Sequence, residues 1–234
     1  MNETPQLVQE LRTPRSAAIA GIIFAVILGG VILLIQSAGL GDDTNTTTWI
    51  ADTSRRNAVN TAINLIPFAG IAFLWFIGVI RSRLGAREDK LFATVFLGSG
   101  LLFVGVLFTA AAILASLLRL FDAPGSVSAA TVIQMQTISV TLLGLFGARM
   151  AAVFILSVTA AGSRGRVIPR WLFFFGLFSA IVLLMSPPAP RWAQLLFPVW
   201  VLVFSVHVLV VSMRTPHGDA NLIDDTRGTG PTAT

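Results

Sequence analysis

The chain has 234 residues, of which 55% are hydrophobic and only 12% are charged. An ordinary soluble domain has about 25% charged residues, so this composition excludes a soluble globular protein and predicts an integral membrane protein. The net charge of +5 does not indicate nucleic-acid binding, because the basic residues stand in short clusters beside apolar runs. The absence of cysteine from the sequence excludes disulfides, thiolate metal sites and cysteine nucleophiles.

Six apolar segments along the chain predict six transmembrane helices, since a helix needs roughly 20 such residues to cross a bilayer. The predicted spans are residues 17–35, 58–80, 91–118, 132–161, 170–187 and 192–213. The predicted fold class is therefore all-α, a polytopic bundle of six transmembrane helices. We expect residues 1–16 to form a cytoplasmic leader, residues 17–213 the transmembrane domain and residues 214–234 a disordered cytoplasmic tail.

The basic residues predict the orientation of this bundle. With both termini in the cytoplasm, eleven of the sixteen basic residues lie inside, four lie outside and Arg149 lies within a span. This imbalance agrees with the positive-inside rule. The four outside residues are Arg55, Arg56, Arg119 and Arg191. Seven inner cations are expected to contact anionic lipid headgroups, namely Arg81, Arg83, Arg87, Lys90, Arg164, Arg166 and Arg170.

Small residues recur at helical spacing on three of the spans, where they would let a neighbouring helix approach closely. The first span carries Ala17, Gly21, Ala25 and Gly29. The third carries Thr94, Gly98, Gly105, Thr109, Ala112 and Ser116. The fourth carries Gly144, Ala148 and Ala152. These faces predict helix packing, either within the bundle or against a second membrane protein.

Arg149 is the only charged residue well inside a predicted span. A guanidinium at that depth costs about 2.5 kcal/mol or more and normally faces a cavity or a partner. The residues at helical spacing around it are apolar, and no Asp or Glu lies in any predicted span. We therefore expect carbonyls freed by Pro67, amides such as Asn64, water or a bound anion to satisfy it.

Amide side chains gather in the outer parts of three spans, at Asn60, Asn64, Gln134, Gln136 and Gln194. They would line a polar pocket if they converged, and otherwise they would hydrogen-bond between helices. Convergence cannot be derived from a sequence, so both interpretations stay open.

The candidate ligand-binding residues are Arg149, Asn60, Asn64, Gln134 and His207. We expect no catalytic residue, no metal site and no cofactor, because no zinc-protease motif, phosphate loop or dinucleotide fingerprint occurs in the sequence. Trp49, which precedes the second span, is expected to be an interfacial anchor.

A serine protease of the membrane is the one enzyme class that required separate consideration. The triplet at residues 98–100 is Gly-Ser-Gly, and His207 lies in the last span, which weakly resembles the rhomboid intramembrane proteases. The rhomboid pattern is Gly-x-Ser-Gly on the fourth span, whereas Leu97 occupies its first position here, on the third. The chain is therefore predicted not to be an enzyme.

One resemblance to a known group rests on the second and third spans. The run NLIPFAGIAFLWFIGVIR at residues 64–81, followed by LGAREDK at 84–90 and ATVFLGSG at 93–100, resembles uncharacterised multi-pass membrane proteins of actinobacteria. The resemblance implies a bacterial inner membrane and carries no known activity with it.

The sequence thus predicts a non-enzymatic protein of the bacterial cytoplasmic membrane that packs with itself or with membrane partners. The alternative is a small channel or carrier for an anionic or polar solute that uses Arg149 and the outer amides. A cavity reaching Arg149 would favour the alternative, and a filled core would favour the first interpretation.

Overall fold

The computed structural model describes residues 4–40, 48–84, 90–123, 127–164, 169–185 and 192–214. Side chains are described at most of these positions, but not at 4–15, 17, 82–84, 90–92, 164 and 214. The predicted tail from residue 215 onwards lies outside the described residues, and so do Arg87, Arg166 and Arg191.

The described residues form helices and turns, and no strand occurs among them, which confirms the all-α fold class for that part of the chain. The helices are α1 (Thr4–Ser37), α2 (Thr48–Ala51), α3 (Thr53–Leu84), α4 (Lys90–Asp122), α5 (Ala129–Thr141), α6 (Ala148–Arg164), α7 (Arg170–Met185) and α8 (Leu196–Arg214). A π-helical segment, Leu142–Gly147, joins α5 to α6 without a break, and a short 3₁₀ turn, Ala193–Leu195, leads into α8.

Five of these helical stretches are long and apolar enough to cross a membrane, which supports a transmembrane protein. They are Ala18–Ser37, Thr53–Arg81, Ala93–Asp122, Ala129–Ser163 and Ala193–Met213. The predicted fifth span corresponds to α7, which is apolar but has only 16 described residues, or about 24 Å of helix. The number of spans and the orientation therefore remain predictions.

The helix ends follow from local sequence. Gly39 has a φ of +83°, and the amides of Gly39 and Leu40 donate to the carbonyls of Gln36 and Ile35 at 3.1 and 3.4 Å. This pattern closes the end of α1, because glycine adopts the left-handed conformation without a steric penalty. At the start of α5, the Ser128 hydroxyl accepts a hydrogen bond from the amide of Thr131 at 3.1 Å.

The long helices pack side by side, each against neighbours on both sides. α1 lies between α3 and α8, α4 lies between α3 and the α5–α6 span, and α7 lies between α6 and α8. Close approach is possible at Gly21, where a Cβ would collide with Ser205 of α8 and with the Phe76 ring of α3. The small-residue face predicted for α1 is thus confirmed at Gly21.

Aromatic rings fill the middle of the bundle. Phe73 of α3 is fully buried, and its ring centroid lies 4.4 Å from Phe24 of α1, 5.0 Å from Phe154 of α6 and 5.7 Å from Phe197 of α8. Phe103 of α4 completes this group at 5.5 Å from Phe73. Rings from five helices therefore meet at one level and hold the helices together by packing, the main source of cohesion between helices in lipid.

A second apolar cluster lies at the end of the bundle where α3 begins and α4 ends, called here the Trp49 end. Trp49 of α2 is fully buried there and donates from its indole nitrogen to Oε1 of Gln136 on α5 at 2.7 Å. The prediction that Trp49 is an interfacial anchor is therefore wrong. The tryptophan packs inside the protein because α2 folds back over the end of the bundle.

Candidate functional site

An open polar groove lies at the Trp49 end, between the first turns of α3 and the last turns of α4. Its volume is about 380 Å³. The described residues that line it are Arg56, Asn57, Asn60, Ile63, Asn64, Ala115, Leu118, Arg119 and Asp122. Two arginines and one aspartate give this lining a net charge of +1, so the groove favours a ligand with negative charge.

The start of α3 positions Arg56, one of the two arginines of the groove. Asp52 caps the helix, since its Oδ1 accepts from the amides of Ser54 at 2.8 Å and Arg55 at 3.3 Å. Its other oxygen lies 3.6 Å from Nε of Arg55, so Arg55 is paired outside the groove. The next residue, Arg56, points its guanidinium to a different set of neighbours.

Arg56 is half-buried and held from two directions. One of its terminal nitrogens donates to the carbonyl of Ile50 at 3.2 Å, and its guanidinium carbon lies 5.2 Å from the centre of the Phe121 ring. A guanidinium has five N–H groups, so this arrangement fixes the side chain while leaving donors for the groove.

The asparagines occupy one face of α3 because they are three or four residues apart. Nδ2 of Asn64 donates to the carbonyl of Asn60 at 2.9 Å and lies 3.4 Å from its Oδ1. These contacts use the amide nitrogen of Asn64, while the amide nitrogen of Asn60 is left as a donor among the described residues. Exposed Asn57 also lines the groove, about one turn nearer the start of α3.

Arg119 and Asp122 supply the charges from the last turn of α4, and both are exposed. Arg119 suits this position because a cation is favourable near a helix C-terminus. In the part of the chain that the structure describes, the one ion pair joins Arg55 to Asp52, so Arg56, Arg119 and Asp122 are not paired there.

The predicted ligand residues are distributed over several places. Asn60 and Asn64 lie together in the groove, whereas Gln134, Arg149 and His207 are not among its lining. Gln134 is exposed on α5. The binding role assigned to these three residues stays a prediction.

Arg149 finds its hydrogen-bond partner on its own helix. One of its terminal nitrogens donates to the carbonyl of Leu145 at 2.9 Å, and Leu145 belongs to the π-helical segment. The amide of Ala148 reaches the carbonyls of both Leu143 and Leu145, so the regular ladder is interrupted directly before Arg149. The expectation that Pro67 or Asn64 supplies the partner is not met among the described residues.

Ser99 and His207 have separate surroundings. The Ser99 hydroxyl is buried and donates to the carbonyl of Phe96 at 3.1 Å. The His207 ring lies edge to face with Trp171 of α7, with 6.1 Å between centroids. No hydrogen bond joins the serine to the histidine, so the nucleophile and base of a serine protease are not assembled from this pair.

The positions of two arginines in the sequence are a signal for this groove. Arg56 and Arg119 are two of the four basic residues predicted on the outer side, where arginine is disfavoured. Arg56 also lies in the first turn of α3, where the helix dipole disfavours a cation. Arg55 has the same unfavourable position but pairs with Asp52, whereas Arg56 lines the groove. The signal therefore marks the start of α3, and the structure identifies the residue.

Comparisons with known proteins do not identify this chain. No family model matches it, and no curated protein or solved structure is significantly similar to it. The resemblance to actinobacterial membrane proteins therefore stays a prediction.

Proposed function

We propose that this chain is a non-enzymatic, six-span protein of the bacterial cytoplasmic membrane that acts by associating with a second copy of itself. The observation that carries the proposal is the outward position of the small-residue face of α4. This face, called the α4 stripe, consists of Thr94, Gly98, Gly105, Thr109, Ala112 and Ser116.

The α4 stripe is not used for packing inside the bundle. Gly105, Thr109, Ala112 and Ser116 are exposed, and no described atom of a neighbouring helix lies within 4 Å of the Cβ position at Gly98 or Gly105. The hydroxyl of Thr109 donates to the carbonyl of Gly105 at 2.8 Å. The hydroxyl of Ser116 likewise donates to the carbonyl of Ala112, at 2.9 Å. The face is therefore smooth and internally satisfied.

The geometry of the stripe suits a second helix. Gly98, Gly105 and Ala112 are seven residues apart, and such a repeat keeps one face toward a partner that crosses at about 20°. From Gly98 to Ser116 the stripe runs for about 27 Å along the helix, close to the thickness of the hydrocarbon core. A second copy could thus pack along most of the span.

A channel or carrier receives less support. The five-ring group around Phe73 fills the middle of the described bundle. Arg149 bonds to its own helix rather than lining the polar groove. A solute path through the middle of the described bundle would therefore meet this aromatic group.

The six-span orientation is supported by charge and by packing. The C-terminal ends of α1 and α4 lie with the N-terminal ends of α3 and α5 at the Trp49 end, as successive spans require. α7 buries Leu172, Gly176 and Leu183 between α6 and α8, so it occupies a place in the bundle like the longer helices. Reporter fusions should place residue 86 in the cytoplasm and residue 125 outside. The opposite result would reverse the orientation.

Self-association can be tested with a matched pair of glycine variants. Gly105→Leu adds a large side chain to the α4 stripe, and Gly78→Leu adds the same side chain to an exposed site on α3 that also has no described neighbour within 4 Å. In vesicles, photobleaching counts of labelled protein should show a dimer that Gly105→Leu weakens about tenfold, or about 1.4 kcal/mol. A monomeric native protein, or equal effects of the two variants, would contradict the proposal.

A further inference from the structure

We propose that the polar groove at the Trp49 end binds the phosphodiester headgroup of a phospholipid. Arg56 and Arg119 supply the cationic side chains of this site, and Asn60 and Asn64 supply its amides. This proposal does not rest on self-association, since it is argued from the lining of the groove and no residue of that lining belongs to the α4 stripe.

The charge of the groove favours a phosphate ligand. Two arginines from different helices line one groove, and neither forms an ion pair among the described residues. Two cations that lie close together repel each other. An anion bound between them attracts both and offsets this repulsion. The planar fork of a guanidinium matches the oxygens of a phosphate, so phosphate is the anion that this pair fits best.

One of the two cations is already held in place. Arg56 is held by the Ile50 carbonyl at 3.2 Å and by the Phe121 ring at 5.2 Å, so little side-chain freedom remains to be lost when a ligand binds. Arg119 is exposed and can adjust to the other side of the phosphate. Arg56 therefore fixes where the phosphate binds, and exposed Arg119 can move to contact it after it has entered the groove.

The groove also contains hydrogen-bond acceptors beside its cations. Pro67 lacks an amide hydrogen, which leaves the carbonyl of Ile63 without its usual helical donor, and Ile63 lines the groove. Asp122 adds a carboxylate to the same lining. These acceptors suit hydroxyl or ammonium groups, which phosphoglycerol and phosphoethanolamine headgroups carry beside the phosphate.

The apolar surface beside the groove favours a lipid over a soluble phosphate ester. The face of α3 that carries Asn57, Asn60 and Asn64 continues at helical spacing into Phe68 and Ile71. Phe68 is 61% exposed and Ile71 is 54% exposed, although both are large and apolar. One face of the helix therefore changes from polar to apolar along its length, in the same order as a lipid changes from headgroup to acyl chain.

Dimensions agree with this assignment. Arg56 and Asn64 are eight residues apart, so the groove extends about 12 Å along α3. Its volume of about 380 Å³ is many times the roughly 10–15 Å³ that a single water molecule needs. This space holds a headgroup and leaves the acyl chains on the exposed apolar surface beside it.

The test uses the purified full chain and native mass spectrometry during titration with dioleoyl phosphatidylglycerol. Arg119→Gln should weaken binding of the first lipid about tenfold. Arg55→Gln should leave it unchanged, because Arg55 is paired with Asp52 outside the groove. Arg119→Lys should give an intermediate loss, since it keeps the charge but not the fork.

A second ligand distinguishes the lipid from its headgroup. Glycerophosphoglycerol, which has the phosphodiester but no acyl chains, should bind at least tenfold more weakly than the lipid. Equal binding of the two ligands would overturn the lipid assignment, and equal loss in Arg119→Gln and Arg55→Gln would overturn the site. Phe68→Ser, which changes only the exposed apolar surface, should weaken the lipid but not glycerophosphoglycerol.

Discussion

The buried hydrogen bond between Trp49 and Gln136 gives a quantitative prediction about the Trp49 end. Trp49 is 0% exposed and Gln136 is 2% exposed, and 2.7 Å separates the indole nitrogen from the amide oxygen. Replacing Gln136 with Leu leaves a buried donor without a partner, which costs about 1–3 kcal/mol in general. Hydrogen bonds between membrane helices average about 0.6 kcal/mol and reach about 1.7, so we expect a loss of about 1–2 kcal/mol.

Unfolding by sodium dodecyl sulfate in bicelles measures this loss. The matched control is Gln134→Leu, because Gln134 lies two residues away on the same helix and is exposed. The control should change the free energy of unfolding by less than about 0.5 kcal/mol. In the double variant with Trp49→Phe, both polar partners are gone, so the two losses should fall short of additivity by about 1 kcal/mol. Equal losses from the two glutamine variants, or strict additivity in the double variant, would refute the reasoning.

Two further changes test the helix packing and the charged residue within the fourth span. Gly21→Leu would place a side chain against Ser205 and Phe76 and should lower the unfolding free energy by about 1–3 kcal/mol. The control Gly30→Leu meets no described neighbour within 4 Å and should leave the unfolding free energy unchanged. Equal effects of the two variants would contradict the close approach of α1 to its neighbours. Arg149→Leu should make the free energy of insertion of the isolated fourth span into microsomes more favourable by about 3 kcal/mol. Glycosylation mapping measures this change. A gain below about 1 kcal/mol would show that the guanidinium does not lie deep in the membrane.

Much of the fold could be predicted from the sequence because a bilayer allows little choice. A segment in lipid must satisfy its backbone internally, so a long apolar run becomes a helix. The span predicted at residues 58–80 accordingly lies within α3, Thr53–Leu84. The helix extends further at both ends, because the polar residues that flank a span can continue the helix into the headgroup region.

The candidate site was less predictable, since it depends on which helices lie next to each other. Asn60 and Asn64 share a face by spacing alone, and they do occur together. The packing of α3 against α4 adds Arg119 and Asp122, two residues more than fifty positions away in the sequence. For Gln136 the sequence left two interpretations open, convergence with these amides or a hydrogen bond between helices. Its partner in the structure is Trp49 of α2, a contact that helical periodicity does not predict.

The π-helical segment Leu142–Gly147 has a consequence for the whole fourth span. A turn closed by an i to i+5 hydrogen bond holds one residue more than an α-helical turn. The side chains that follow it are therefore rotated by about 100° around the helix axis. α5 therefore contacts α4, while α6 contacts both α4 and α7. A single helical wheel drawn through residues 129–164 would therefore assign the contact faces of α5 and α6 incorrectly. Deleting one residue of the π-helical segment would rotate α6 and turn its contact face away from α7.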